Sequence, residues 1–127
     1  MFKNDLFKLE NLQITDDKGD ATAVISLNAL HKIFEGHFPG SPVLPGVCMV
    51  QIIKEILGEI FESKLMLYKI NTIKYQNPVN PFESNTLTLK FSIRREESFI
   101  SVSVQVSDES MNFCSLKGEF RKEDNQY

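Results

Sequence analysis

One stretch of this chain, from Gly46 to about Glu62, carries apolar residues at helical spacing and needs burial. At roughly 100° per residue, Met49, Ile52, Ile53, Ile56 and Ile60 share one broad face. Gln51, Glu55, Gly58 and Glu62 lie opposite. Most of the remaining chain alternates apolar with polar residues, the period of a strand with one buried face. One long apolar helix and five to six such strands can cover each other if a curved antiparallel sheet wraps around the helix. The expected fold class is therefore α+β. A chain of 127 residues is long enough for one such core, so a single domain over residues 1–127 is expected.

The strands are read from this alternation. Leu6 to Thr15 is a first strand, Asp16 to Asp20 a turn by composition, and Ala21 to Leu27 a second strand returning as a hairpin. Asn28 to Phe34 suits a short helical turn. After the helix, Lys64 to Asn77 alternates loosely and is ended by Pro78 and Pro81. Thr86 to Arg94 alternates cleanly, with Leu87, Leu89, Phe91 and Ile93 on one side. Ile100, Val102, Val104 and Val106 repeat the pattern, and Met111 to Phe120 is the last strand. Arg121 to Tyr127 reads as a polar, frayed tail.

The segment entering the helix is the chemically suggestive one. His37-Phe38-Pro39-Gly40-Ser41-Pro42-Val43-Leu44-Pro45-Gly46-Val47 holds three of the five prolines, two of the six glycines and one of only two histidines. Proline fixes φ and lacks an N–H, while glycine reaches backbone angles closed to other residues, so the loop is tightly shaped. Pro45 suits a helix entry, where a missing N–H costs nothing. A titratable imidazole thus precedes a bare helix start, where free N–H groups favour a developing oxyanion. Gln51 and Glu55 are one turn apart, so their side chains can be neighbours. A polar pair on a largely buried helix is costly unless it is solvated, hydrogen-bonded or at a site.

Composition narrows the function classes. A net charge of -3, without a basic run, gives no nucleic-acid footprint. The opening Met1-Phe2-Lys3-Asn4-Asp5 is interrupted by charge, so no signal peptide is expected there, and no apolar run reaches membrane-spanning length. No membrane partner is expected. Cys48 and Cys114 are far apart and fit two thiols in a reducing cytoplasm. With only His31 and His37 and no clustered ligands, no zinc site is expected. His31 reads as a hydrogen-bonding residue. Cys48 reads as core packing, with a nucleophilic role in the helix's first turn as a minor alternative.

The segment His37 to Val47 resembles the signature of the 3-hydroxyacyl-acyl carrier protein dehydratases, a hot-dog-fold family. Tyr75-Gln76-Asn77-Pro78-Val79-Asn80-Pro81 resembles the family's later pattern of an aromatic, two polar or basic residues and Pro-Val-x-Pro. The resemblance implies a hot-dog fold and elimination of water from a 3-hydroxyacyl thioester in fatty acid or polyene-type biosynthesis. It implies no cofactor of the protein's own, the substrate riding on the phosphopantetheine of an acyl carrier protein. It also implies a dimer joined edge to edge between sheets, a homodimer or a heterodimer with a second hot-dog chain. It assigns His37 as base and the Gly46 N–H as oxyanion donor, with Phe38, Pro39, Val47 and Pro78 as candidate substrate contacts. The acid, a Glu or Asp from the partner subunit, falls at Gln51, and the family's following Gln falls at Glu55.

This exchange leaves three arrangements. His37 works alone on a hydroxyl held by Gln51; or Glu55 reaches in; or the chain is a thioesterase or a non-catalytic acyl-binding partner in a heterodimer. Gln51 as an interface amide and Glu55 as a solvated or paired helix residue are the plainer alternatives. Phe34, Phe38 and Phe82 are core residues or tunnel lining. Lys69, Lys74, Arg94, Arg95 and Arg121 are candidates for receiving an acidic carrier protein, with coenzyme A thioesters open as substrates.

Overall fold

The computed structural model describes residues 1–35, residue 40 and residues 42–123. The strands are β1 (Phe7–Ile14), β2 (Asp20–Leu27), β3 (Leu65–Tyr75), β4 (Thr86–Arg95), β5 (Ile100–Ser107) and β6 (Asn112–Lys122). A 3-10 turn occupies Lys32–Phe34, and the helix α1 spans Gly46–Phe61. All six strands form one antiparallel sheet in the order β1-β2-β4-β5-β6-β3.

Packing follows the alternation. Ala23 pairs with Leu89, Leu89 with Val106, and Val104 with Leu116, so one face of the sheet is continuously apolar. Against it α1 buries Ile52, Ile53, Ile56 and Leu57 completely, with Met49 and Ile60 nearly so. Each such side chain removed from water contributes about 1.5–3 kcal/mol, enough for the core to select this wrapping. The helix ends at Glu62, whose left-handed φ of 51° lets its N–H and that of Ser63 both reach the Gly58 carbonyl. That close return leaves room for little at Gly58, where a Cβ would lie 3.1 Å from the Ser63 oxygen.

Two details differ from the sequence reading. The last strand runs through Arg121 and Lys122, which pair with Met66 and Leu65 rather than fraying. Strand β3 is broken by register shifts between Leu67 and Lys69 and between Ile70 and Thr72. Extra residues of this kind reset the alternation, which is why the segment reads only loosely as a strand. β3 is also a sheet edge, and it leaves Met66, Tyr68 and Ile70 exposed.

Candidate active site at the start of the helix

Pro45 is extended, with ψ of 143°, and offers no side-chain cap. Its carbonyl accepts from the N–H groups of Cys48 at 3.0 Å and Met49 at 3.2 Å. The Gly46 and Val47 N–H groups are therefore left without a backbone partner among the described residues. The approach to the helix is fixed by the Leu44 N–H, which donates to the Val79 carbonyl at 2.9 Å. The Gln76 N–H in turn donates to the Phe113 carbonyl at 2.9 Å. The first tie holds the segment after β3 against the approach to the helix, and the second holds the end of β3 against β6.

Between them lies a cavity of about 360 Å³. Gly46, Met49, Tyr75, Pro78, Phe113 and Cys114 line it, so the walls are largely apolar and the Gly46 backbone is part of the surface. A Cβ on residue 46 would sit 2.6 Å from the Tyr75 hydroxyl and 2.7 Å from its Cζ, so a larger residue would push that ring aside. The tyrosine ring uses the space that any other residue would fill. Its phenol is pushed above the usual range, by burial first and the Cys114 thiol second, and so stays protonated at neutral pH.

The anticipated site residues divide into three groups. Gly46 and Pro78 meet in this cavity. Val47 is exposed on the first turn, and Gln51 and Glu55 line a separate surface depression with Lys3, Lys54 and Glu59. His37, Phe38 and Pro39 lie outside the described residues. Phe34 is buried and Phe82 exposed, and both border a different depression with Leu30 and Pro42 rather than the cavity on Gly46.

Gln51 and Glu55 do touch, as their spacing predicts: Gln51 Nε2 donates to Glu55 Oε2 at 2.9 Å. Glu55 also accepts from the backbone N–H groups of Phe2 and Lys3, each at 2.9 Å. Burial alone would raise this carboxyl, but the donors from Gln51, Phe2 and Lys3 outweigh it and hold the group below its ordinary value. At neutral pH it is an anion facing the N-terminal backbone, not a proton donor facing the cavity. A depressed carboxylate stabilises the fold above its unfolded pKa, and that contribution is lost as pH falls through the folded one. Replacing Glu55 with alanine strands two partly buried backbone donors and should cost about 1–3 kcal/mol. Urea unfolding at pH 7 checks this, and the gap between the variants should narrow in acid.

The remaining candidates have plain places. His31 Nδ1 accepts from the Ile33 N–H at 3.0 Å, so the neutral ring carries its proton on Nε2, 3.1 Å from Asp5 Oδ2. Cys48 is buried, and burial pushes its thiol up, so the minor reading of a nucleophile at the first turn is not the one the structure provides. Arg95 stacks on Phe61 and Arg121 on Tyr68, Arg94 bonds Glu96, and Lys74 directly precedes Tyr75 on β3. Among the described residues no cluster of His, Cys, Asp or Glu could hold a metal ion. None of the described helices is long and apolar enough to cross a membrane.

A helix wrapped by this sheet, with a cavity of about 360 Å³ at its N-terminus, defines a hot-dog protein. The ApeI-like family, described as ApeI dehydratase, matches residues 13–117, and the chain belongs to it. Two curated relatives are 3-hydroxyacyl-[acyl-carrier-protein] dehydratases FabZ. The enzyme of Aeromonas hydrophila subsp. hydrophila is 27% identical over 93 residues, which are 66% of this chain and 61% of that one. That of Lactococcus lactis subsp. cremoris strain SK11 is 32% identical over 91 residues, 66% of this chain and 62% of that one. The chain thus spans less than two thirds of the length of these relatives. The dehydratase heterocomplex ApeI:P from Xenorhabdus doucetiae has the same fold, with a TM-score of 0.71, 20% identity, and coverage of 91% of this chain and 97% of that one.

Proposed function

We propose that this protein removes water from 3-hydroxyacyl thioesters carried on the phosphopantetheine of an acyl carrier protein, giving the trans-2-enoyl thioester. The observation that carries the reading is the apolar cavity whose polar feature at the helix start is the bare Gly46 amide. A thioester carbonyl entering it would find a donor aimed at its oxygen and apolar walls for its chain. His37 takes the C2 proton, and the enolate charge collects on the carbonyl oxygen at Gly46. The C3–O bond then breaks, the imidazolium returns its proton to the departing hydroxide, and the double bond forms between C2 and C3 as water leaves.

Gln51 has no titratable proton, and one N–H of its amide is given to Glu55. Its Oε1 is left to accept from the substrate's 3-hydroxyl, orienting the leaving group rather than protonating it. Gln51 lies away from the Gly46 cavity of its own chain, which fits a site completed by a second subunit at the exposed β3 edge. The engaged, anionic state of Glu55 favours one further reading: a heterodimer in which a second hot-dog chain brings the acid.

The test is incubation of the pure protein with a 3-hydroxyacyl carrier protein, followed by intact mass. Loss of water supports the proposal. An unchanged substrate that reacts only when a second hot-dog chain is added transfers the acid to that partner. Release of free acid makes the chain a thioesterase.

A further inference from the structure

The Tyr75 hydroxyl lines the same cavity as Gly46, and no described residue accepts its proton. The ring edge lies so close to Gly46 that the hydroxyl is 2.6 Å from where a Cβ would stand. A Cβ stands about 2.5 Å from its own backbone nitrogen by standard covalent geometry. The hydroxyl oxygen is therefore at most about 5.1 Å from the Gly46 nitrogen, by the same geometry. One oxygen atom that accepts an N–H bond of about 2.9 Å and an O–H bond of about 2.7 Å can bridge donors up to about 5.6 Å apart. The two donors thus fall within the span of a single acceptor.

We infer that Tyr75 is a catalytic residue, its phenol donating alongside the Gly46 N–H to the thioester oxygen as enolate charge develops there. The inference rests on the proposed dehydration for its catalytic meaning. The phenol keeps its proton throughout: the C2 proton moves to His37 and then to the departing hydroxide, while Tyr75 only shares its hydrogen with the oxyanion. Its raised pKa suits this, since an un-ionised phenol remains a donor at working pH. Met49, Phe113 and Cys114 form the apolar wall of that cavity beside Gly46, while the tyrosine side chain itself is 56% exposed and reaches the cavity from its rim.

Tyr75→Phe keeps the ring that packs on Gly46 and removes only the hydroxyl, so the fold should survive. Dehydration kcat should fall by about 10²–10³-fold, the usual effect of losing one oxyanion donor, with KM little changed. A kcat within twofold of the wild type, by about 0.4 kcal/mol or less, overturns the inference. A second measurement does not depend on turnover. The infrared carbonyl band of a bound, isotope-labelled saturated acyl-pantetheine should sit at lower frequency in the wild type than in Tyr75→Phe. If the band is the same in both, Tyr75 does not touch the carbonyl, whatever the reaction. If the band differs but no substrate loses water, the contact stands and the dehydratase reading fails.

Discussion

Replacing His37 with alanine should lower dehydration by about 10²–10⁴-fold, the range for removing a group that carries a proton in the transition state. The drop should be near the upper end, because Gln51 cannot exchange a proton and Glu55 is an engaged anion. In an enzyme with a separate acid, loss of the base leaves half of the proton traffic in place. Here one imidazole both collects the C2 proton and returns it to the leaving hydroxyl. The pH profile of kcat should accordingly show a single ionisation, on the histidine, rather than a bell with an acid limb. Steady-state rates of wild type and His37→Ala over a pH series check both statements. An alanine variant that keeps its rate would assign the base elsewhere.

Ile56→Ala should produce the largest loss of stability, about 2–5 kcal/mol. Ile56 lies near the middle of α1, is wholly shielded from water and belongs to the core shared with the sheet. Its neighbours Ile52 and Ile53 are equally enclosed and Ile60 nearly so, and such a core relaxes only in part around a void. Against a domain stability of about 5–15 kcal/mol, that is a large fraction, and the urea midpoint should fall markedly with the slope unchanged. A shift no larger than that of an exposed position such as Lys54 would mean that the helix is not the centre of the core.

The layout of helix and strands could be read from the chain because burial on one face imposes a period. Ile52, Ile53 and Ile56 recur as a helix must, and Leu87, Leu89 and Phe91 as a strand must. Where a second rule intervenes, the period weakens. The bulges in β3 depend on pairing with β6, where a Cβ on Gly118 would meet the Lys69 carbonyl at 2.9 Å, and no local pattern announces that approach. The contact between Gln51 and Glu55 was legible from their one-turn spacing. The N-terminal backbone donors to Glu55 were not, since Phe2 and Lys3 are over fifty residues away in sequence and donate main-chain groups that carry no residue signature.

The site was legible in part for a similar reason. Gly46 and Pro78 are conspicuous as backbone-shaping residues, and they do border one cavity. Tyr75 opens the second family-like segment, but nothing in that pattern places its hydroxyl beside the helix start. Its importance depends on the absence of a side chain at Gly46, a relation between two places nearly thirty residues apart. The exchange of residue types at Gln51 and Glu55 was visible at once, but only the direction of their hydrogen bond shows which end of the amide is free.

Dehydration is reversible, so the most direct measurement runs it backwards. A trans-2-enoyl carrier protein incubated with the pure protein in heavy-oxygen water should gain one labelled water, with the label in a 3-hydroxyl still attached to the thioester. Label appearing instead in a free carboxylic acid, or no uptake with or without a second hot-dog subunit, would contradict the account.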